Sequence, residues 1–371
     1  MPVDFEAEGL LEDLPDPRER AERIALLEHL LRRGVPLEDL RRAAAEGRLV
    51  LLAVERALDA TGEAYSPTDV AARTGLEVEA VRRLRASFGL AVPAADERGL
   101  GDADVEEARH AREALALGFT EVQLLRLNRD VGRAAAQVAA AMLQAAGEAV
   151  LRTGEGEHEL AHRLALAAAQ LVPMAGSIAS YAVQEHLRAR LSRTAITPAE
   201  LRAGHPSDLH EVTVLFADLV GFTALGQSSG PERLGDVAER LAAIAAAVAN
   251  PPVTLVKTLG DGAMFVAPEP GALLAAAAAL LTAADAEGAC FPRLRAGLAN
   301  GIALSRGGDW FGEPVNLASR ICDVAPPGAI LAPASIKDAC SSARWAFAGT
   351  ESLKGIPEPE ELWRLELTRA V

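Results

Sequence analysis

Lysine is nearly absent from this 371-residue chain: Lys257, Lys337 and Lys354 stand against 34 arginines, and none precedes residue 257. Aromatic residues make up only 4% although half the chain is apolar, so alanine and leucine carry the apolar content. That excess favours helices with small side chains at their contacts. The three cysteines (Cys290, Cys322, Cys340) are odd in number and widely spaced, which suggests neither a disulfide framework nor a cysteine metal site. No basic block exists either. The net charge is −15, with 25 arginines against 34 acidic residues in 1–210 and 12 basic against 18 acidic in 211–371. A constitutive nucleic-acid or anionic-membrane surface is therefore not expected. The Met-Pro-Val-Asp-Phe-Glu start is not a signal peptide. Of the most apolar stretches, Leu164–Val183 is interrupted by Gln170 and Pro173, and Ala272–Ala284 is too short to span a bilayer. The expectation is a cytoplasmic protein with no integral membrane segment.

What is present falls into two parts. Residues 1–193 read as helices: Ala21–Arg33, Leu40–Ala60, a helix-turn-helix pattern over Ser66–Arg83, then Asp104–Leu117, Thr120–Leu127, Arg129–Arg152 and His158–Arg193. Residues 194–210 hold two prolines, a glycine and two histidines and read as a linker. Residues 211–371 alternate element types. The expected order is strand Val212–Ala217, helix Pro231–Ala249, hairpin Val253–Leu259 with Ala263–Val266, helix Gly271–Ala286 and strand Leu294–Ala303. Helices Val315–Val324 and Pro333–Ser341 and strands Ala329–Ala332 and Leu362–Leu367 follow. The fold class is α+β: an all-helical N-terminal domain and a ferredoxin-like βαββαβ domain with helices on one sheet face.

Chemistry concentrates in the second part. Glu211-Val-Thr-Val-Leu-Phe-Ala-Asp218-Leu-Val-Gly221-Phe222-Thr223 and Lys257-Thr-Leu-Gly260-Asp261-Gly262 each set an aspartate where a strand breaks into a glycine turn. Alone, each reads as a turn former. As a pair on neighbouring strands, two carboxylates are costly without a cation between them, and they suit two divalent ions about 3.5–4 Å apart. Backbone N–H groups of the loop Gly221–Gly226 suit phosphate. In Asp309-Trp310-Phe311-Gly312-Glu-Pro314-Val-Asn316-Leu-Ala-Ser319-Arg320, Pro314 starts a helix on which Asn316 and Arg320 share a face. A lysine beside the Gly-Asp turn, in a chain that otherwise uses arginine, points to a need for a compact ammonium there. Lys337 reads as an ordinary surface residue.

Together these motifs resemble the class III nucleotidyl cyclases, the family of most adenylyl and guanylyl cyclases, over residues 211–367. The pattern Phe-x-Asp-x-x-Gly-Phe-Thr is met by Phe216 to Thr223, and Lys-x-x-Gly-Asp by Lys257 to Asp261. Asp309, Gly312, Asn316 and Arg320 match a third motif, and Leu294-Arg295-Ala-Gly297 resembles the strand that supplies a phosphate-binding arginine. The resemblance implies that Asp218, Asp261 and the Leu219 carbonyl hold two Mg²⁺ or Mn²⁺ ions. It implies that Asn316 positions the ribose, Arg320 stabilises the transition state, and Lys257 and Asp309 select adenine, making ATP the substrate. Phe222 and Thr223 would lie against the substrate, while Arg295 and Lys354 would reach its phosphates. Each site would lie between two copies in a head-to-tail homodimer. The segment Gly301–Gly308 is short beside the dimerisation arm of many relatives.

Residues 1–195 resemble the helical regulatory domain of some soluble actinobacterial cyclases, which inhibits the catalytic dimer and releases it as pH falls. Protons, a lipid or another small molecule would be its regulators. All seven histidines precede Glu211, so a histidine switch belongs to this half or the linker, with His205 and His210 as the first candidates. The alternative is a DNA-binding regulator built on Ser66–Arg83, with a cyclase-like domain that only senses a nucleotide. The acidic balance opposes it.

Overall fold

The computed structural model describes residues 3–12, 14–58, 64–151, 155–191, 202 and 207–367. The chain divides into two units, Met1–Ala195 and Ile196–Val371. In the first, helix α1 (Pro17–Arg32) opens on Pro17, whose missing N–H needs no partner there. The Asp16 carboxylate caps it, accepting from the Arg18 N–H at 2.8 Å. The run expected as one helix from Leu40 is two, α2 (Leu37–Ala45) and α3 (Leu49–Leu58), because Gly47 takes a left-handed φ of 66° between them. The helix-turn-helix pair is α4 (Pro67–Thr74), closed by a capping box of Ser66 and Asp69 and ended by Gly75, and α5 (Val78–Ser87). Next come α6 (Asp102–Ala116), α7 (Glu121–Val150) and α8 (Glu157–Leu191). The two helices expected on either side of Asn128 are the single helix α7, since nothing between Leu127 and Arg129 breaks the backbone pattern.

Leu26, Leu27, Leu30 and Leu40 are fully buried and pack with Ala161 of α8. By length and composition α8 is the one helix among the described residues apolar enough to cross a membrane. Pro173 lies within it, and its apolar stretch is not buried inside the chain. The α4–α5 pair is tied into the helical unit by its own basic residues. Arg83 pairs with Glu121 at 2.7 Å and Arg85 with Asp104, while Arg82 pairs with Glu79 within α5. Guanidiniums already held by carboxylates do not offer a row of cations to a phosphate backbone.

The second unit contains β1 (Leu209–Leu219), α9 (Phe222–Ser228), α10 (Pro231–Val248), β2 (Thr254–Leu259), β3 (Gly262–Ala267), α11 (Pro270–Ala286) and β4 (Leu294–Arg306). It continues with β5 (Asp309–Phe311), α12 (Glu313–Val324), β6 (Ile330–Pro333), α13 (Ala334–Ala339), β7 (Trp345–Glu351) and β8 (Glu360–Leu365). The sheet order is β2-β3-β1-β4-β6-β8-β7, with β5 paired to β4. Its first four strands are the antiparallel ferredoxin-like set, and β6 then joins β4 in parallel. Strand β1 begins at Leu209, so its first two residues fall inside the expected linker, of which 194–201 and 203–206 lie outside the described residues.

Alternation along β1 assigns its two faces. Leu215, Ala217 and Leu219 pack against α10 and α11 with Phe265, Leu273 and Leu280. Val212 and Val214 face the other way, with Met264, Ala299 and Ala318 of α12. The expectation of helices on one face therefore holds for the βαββαβ core and fails for the whole unit, because α12 covers the opposite face. It comes close: a Cβ on Gly297 of β4 would overlap the backbone of Ala318 and Cys322. Strands β5 and β7 were not expected. Gly307 and Gly308, at φ 60° and 77°, form the two-residue turn that folds β5 back on β4.

Candidate active site

Asp218 lies near the end of β1 on the face covered by α12, and β-pairing sets it opposite Gly262 on one side and Arg295 on the other. The Leu219 N–H donates to the Asp261 carbonyl at 2.8 Å, which locks the β2–β3 turn to the end of β1. The two aspartates expected to work as a pair are thus neighbours. Asp218 is largely buried, and burial foremost pushes its carboxyl above the ordinary 3.8, with the Asp261 and Asp323 charges adding to the rise. Arg295 opposes it: Nε and Nη2 both donate to Oδ2, at 3.1 and 2.7 Å, while Nη1 donates to the Asp323 carbonyl at 2.5 Å.

Among the described residues no group of three or more His, Cys, Asp or Glu side chains forms a metal cage. The donor set here is two carboxylates with strand-end carbonyls. That suits Mg²⁺ or Mn²⁺, which are held by one or two carboxylates and complete their shells with water and substrate phosphates. Three carboxylates, Asp218, Asp261 and Asp323, stand near two guanidiniums, Arg295 and Arg320, and the excess negative charge fits the same reading.

Lys257 on β2 and Asp309 at the start of β5 meet at 2.5 Å, although 52 residues separate them. The Gly307-Gly308 turn delivers Asp309, whose Oδ1 also accepts from the Trp310 N–H at 2.9 Å. Asn316 is exposed on α12, and Arg320 lies one turn on and donates to Asp323 at 3.0 Å. Among the described residues no hydrogen bond or ion pair joins Asp218 or Asp261 to Lys257, Asp309, Asn316 or Arg320.

The remaining expected residues are more scattered. Phe222 packs its ring against the α10–α11 core, Thr223 is exposed on the first turn of α9, and Lys354 is exposed on the turn between β7 and β8. His205 lies outside the described residues. His210 is a strand residue rather than part of a loose linker, with its ring 5.8 Å from Trp310. Two features escaped the sequence reading. Asp323 touches both Arg320 and Arg295, and its only signal was the spacing of three from Arg320. His29 and His158 meet with ring centroids 5.8 Å apart, where no local pattern joins residues so distant in sequence. They line a cavity of about 240 Å³ with His162 and Arg33.

The fold and this arrangement define the class III nucleotidyl cyclase type of catalytic unit, joined to a helical partner. The adenylate cyclase regulatory domain family matches residues 3–191. A pH-sensitive adenylate cyclase of Mycobacterium tuberculosis is 37% identical over 370 residues, covering 98% of this chain and 92% of the relative. An adenylate cyclase of Streptomyces coelicolor is 30% identical over 271 residues, covering 72% and 69%. A similar solved structure is the adenylyl cyclase CyaB from P. aeruginosa, at 21% identity and TM-score 0.40 over 43% of this chain and 96% of that one. The chain belongs to the actinobacterial class III adenylyl cyclases that carry this regulatory domain, and it is an enzyme that forms cyclic AMP.

Proposed function

We propose that the catalytic unit converts ATP to 3′,5′-cyclic AMP and pyrophosphate at two equivalent sites in a head-to-tail homodimer. The observation that carries this reading is the coexistence in one chain of two residue sets that, among the described residues, no direct hydrogen bond or ion pair joins. Asp218 and Asp261 form one half, and the Lys257–Asp309 pair with Asn316 and Arg320 forms the other. One copy supplies the first half and its partner the second.

Asp218, Asp261 and the Leu219 carbonyl would hold two divalent cations, whose bound charge lowers the pKa of the ribose 3′-hydroxyl and neutralises the triphosphate. Lys257 donates to adenine N1 and Asp309 accepts from the exocyclic amine. Guanine offers the opposite pattern at those edges, so the pair selects ATP. Asn316 orients the ribose for in-line attack of its 3′-oxygen on the α-phosphorus. Arg320 leaves Asp323 to stabilise the negative charge that builds there. Arg295 and Lys354 bind the outer phosphates, and the Gly221–Thr223 turn packs against the substrate.

The helical unit regulates this chemistry in response to pH in the cytoplasm, where ATP is available. Support comes from the name of the Mycobacterium tuberculosis relative and from the histidines grouped at α1 and α8. The test is incubation of the full chain with Mn²⁺ and ATP. Cyclic AMP should form, and Asp261→Ala and Arg320→Ala should each cut its rate by at least about 100-fold. Undiminished turnover in either variant would refute the assignment.

A further inference from the structure

Arg295 departs from the role expected of it. Its guanidinium is held by contacts within the chain. Two of its nitrogens grip one oxygen of Asp218, and the third reaches the Asp323 carbonyl. Register fixes this contact, because Asp218 and Arg295 are direct cross-strand partners whose side chains share the face beneath α12. Both side chains are about three-quarters buried. A charge-assisted contact of that geometry is stronger than a surface pair of equal length. The grip is one-sided. Both bonds fall on Oδ2, while Oδ1 points towards the β2–β3 turn, 3.8 Å from where a Cβ on Gly262 would sit.

We propose that Arg295 is a built-in competitor for the metal site: its guanidinium and a divalent cation bid for the charge of the same Asp218 carboxylate. Cation loading therefore frees the guanidinium for substrate phosphates. This inference rests on Asp218 being a metal ligand. It goes further by linking the cation-binding and phosphate-binding steps through one side chain. Two consequences follow. The chain binds cations alone weakly, and nucleotide strengthens that binding because the released Arg295 gains a phosphate partner. By linkage the cation strengthens nucleotide binding by the same factor. Second, the α12 end is part of the device, since Asp323 receives both Arg295 and Arg320.

The test is binding of Mn²⁺ alone to the full chain, read by the electron paramagnetic resonance signal of the free ion, with thermal melting as the check on folding. Asp218→Asn should abolish the tighter sites, which establishes where the ion sits. Arg295→Gln should bind Mn²⁺ about tenfold more tightly than the parent, with Arg295→Lys between them because one ammonium cannot make the two-nitrogen grip. A non-cyclisable ATP analogue should tighten Mn²⁺ binding in the parent and do so much less in Arg295→Gln. If Asp218→Asn removes the sites but folded Arg295→Gln binds Mn²⁺ no more tightly than the parent, the competition is refuted and the metal assignment stands. If Asp218→Asn binds like the parent, both fall.

Discussion

Single residues decide this enzyme through where their neighbours put them. Asp218 and Arg295 were both singled out as candidates by the Phe-x-Asp and Leu-Arg-Ala-Gly patterns, but their contact was not legible. A cross-strand register depends on how β1 and β4 align, which neither strand states alone. The same holds for Lys257 and Asp309, joined at 2.5 Å by a two-glycine turn that the sequence displayed and the reading passed over. Gly297 shows the opposite case, a small residue whose reason is wholly tertiary. Gly297→Ala drives a methyl into the α12 backbone and should cost about 3 kcal/mol, measured as a lower midpoint in denaturant unfolding. Cys322 beside it is buried, and burial foremost pushes its thiol up to about 12. Alkylation of the native chain at pH 8 should therefore label the exposed Cys290 and spare Cys322.

Among the elements, the strands of the βαββαβ core were readable from apolar runs broken by glycine turns, and their ends came within a few residues. The errors had local causes. Gly47 split an amphipathic run, and α7 ran unbroken because Asn128 is no helix breaker at an exposed site. The packing of α1 on α8 could not be read at all, since His29 and His158 lie 129 positions apart. That contact carries a pH prediction. Burial foremost lowers the pKa of His29 below its ordinary 6.5, and Arg33, His158, Arg32 and His162 all push the same way. The unfolded chain then takes up the proton more readily than the folded one. The stability that neutral His29 allows is present above about pH 6.5 and is lost as pH falls below it. Of the carboxylates on the packed elements, Glu28 pairs with Arg32 at 3.5 Å, Glu157 with Arg23 and Glu55 with Arg48, while Glu22 keeps one buried oxygen without a hydrogen bond among the described residues. Thermal melting from pH 7.5 down to about 5.5 should show the helical unit losing stability, and His29→Gln should flatten that loss. A parent-like slope in the variant would locate the titration elsewhere.

For the molecule as a whole, the two-part organisation was legible because helical runs through residue 193 give way, after a linker, to alternating strands and helices from residue 211. The proposal that each site is shared between two copies belongs to this scale. A single copy should be inactive, and activity should fall with dilution as the dimer dissociates. The direct measurement is a mixing experiment. Asp261→Ala and Arg320→Ala, each inactive alone, are combined in equal amounts, allowed to exchange subunits, and assayed with Mn²⁺ and ATP. Half of the dimers would then carry one intact site, so cyclic AMP synthesis should return to roughly a quarter of the parent rate. A mixture as inactive as its components, with exchange shown to occur, would contradict a site shared between two copies.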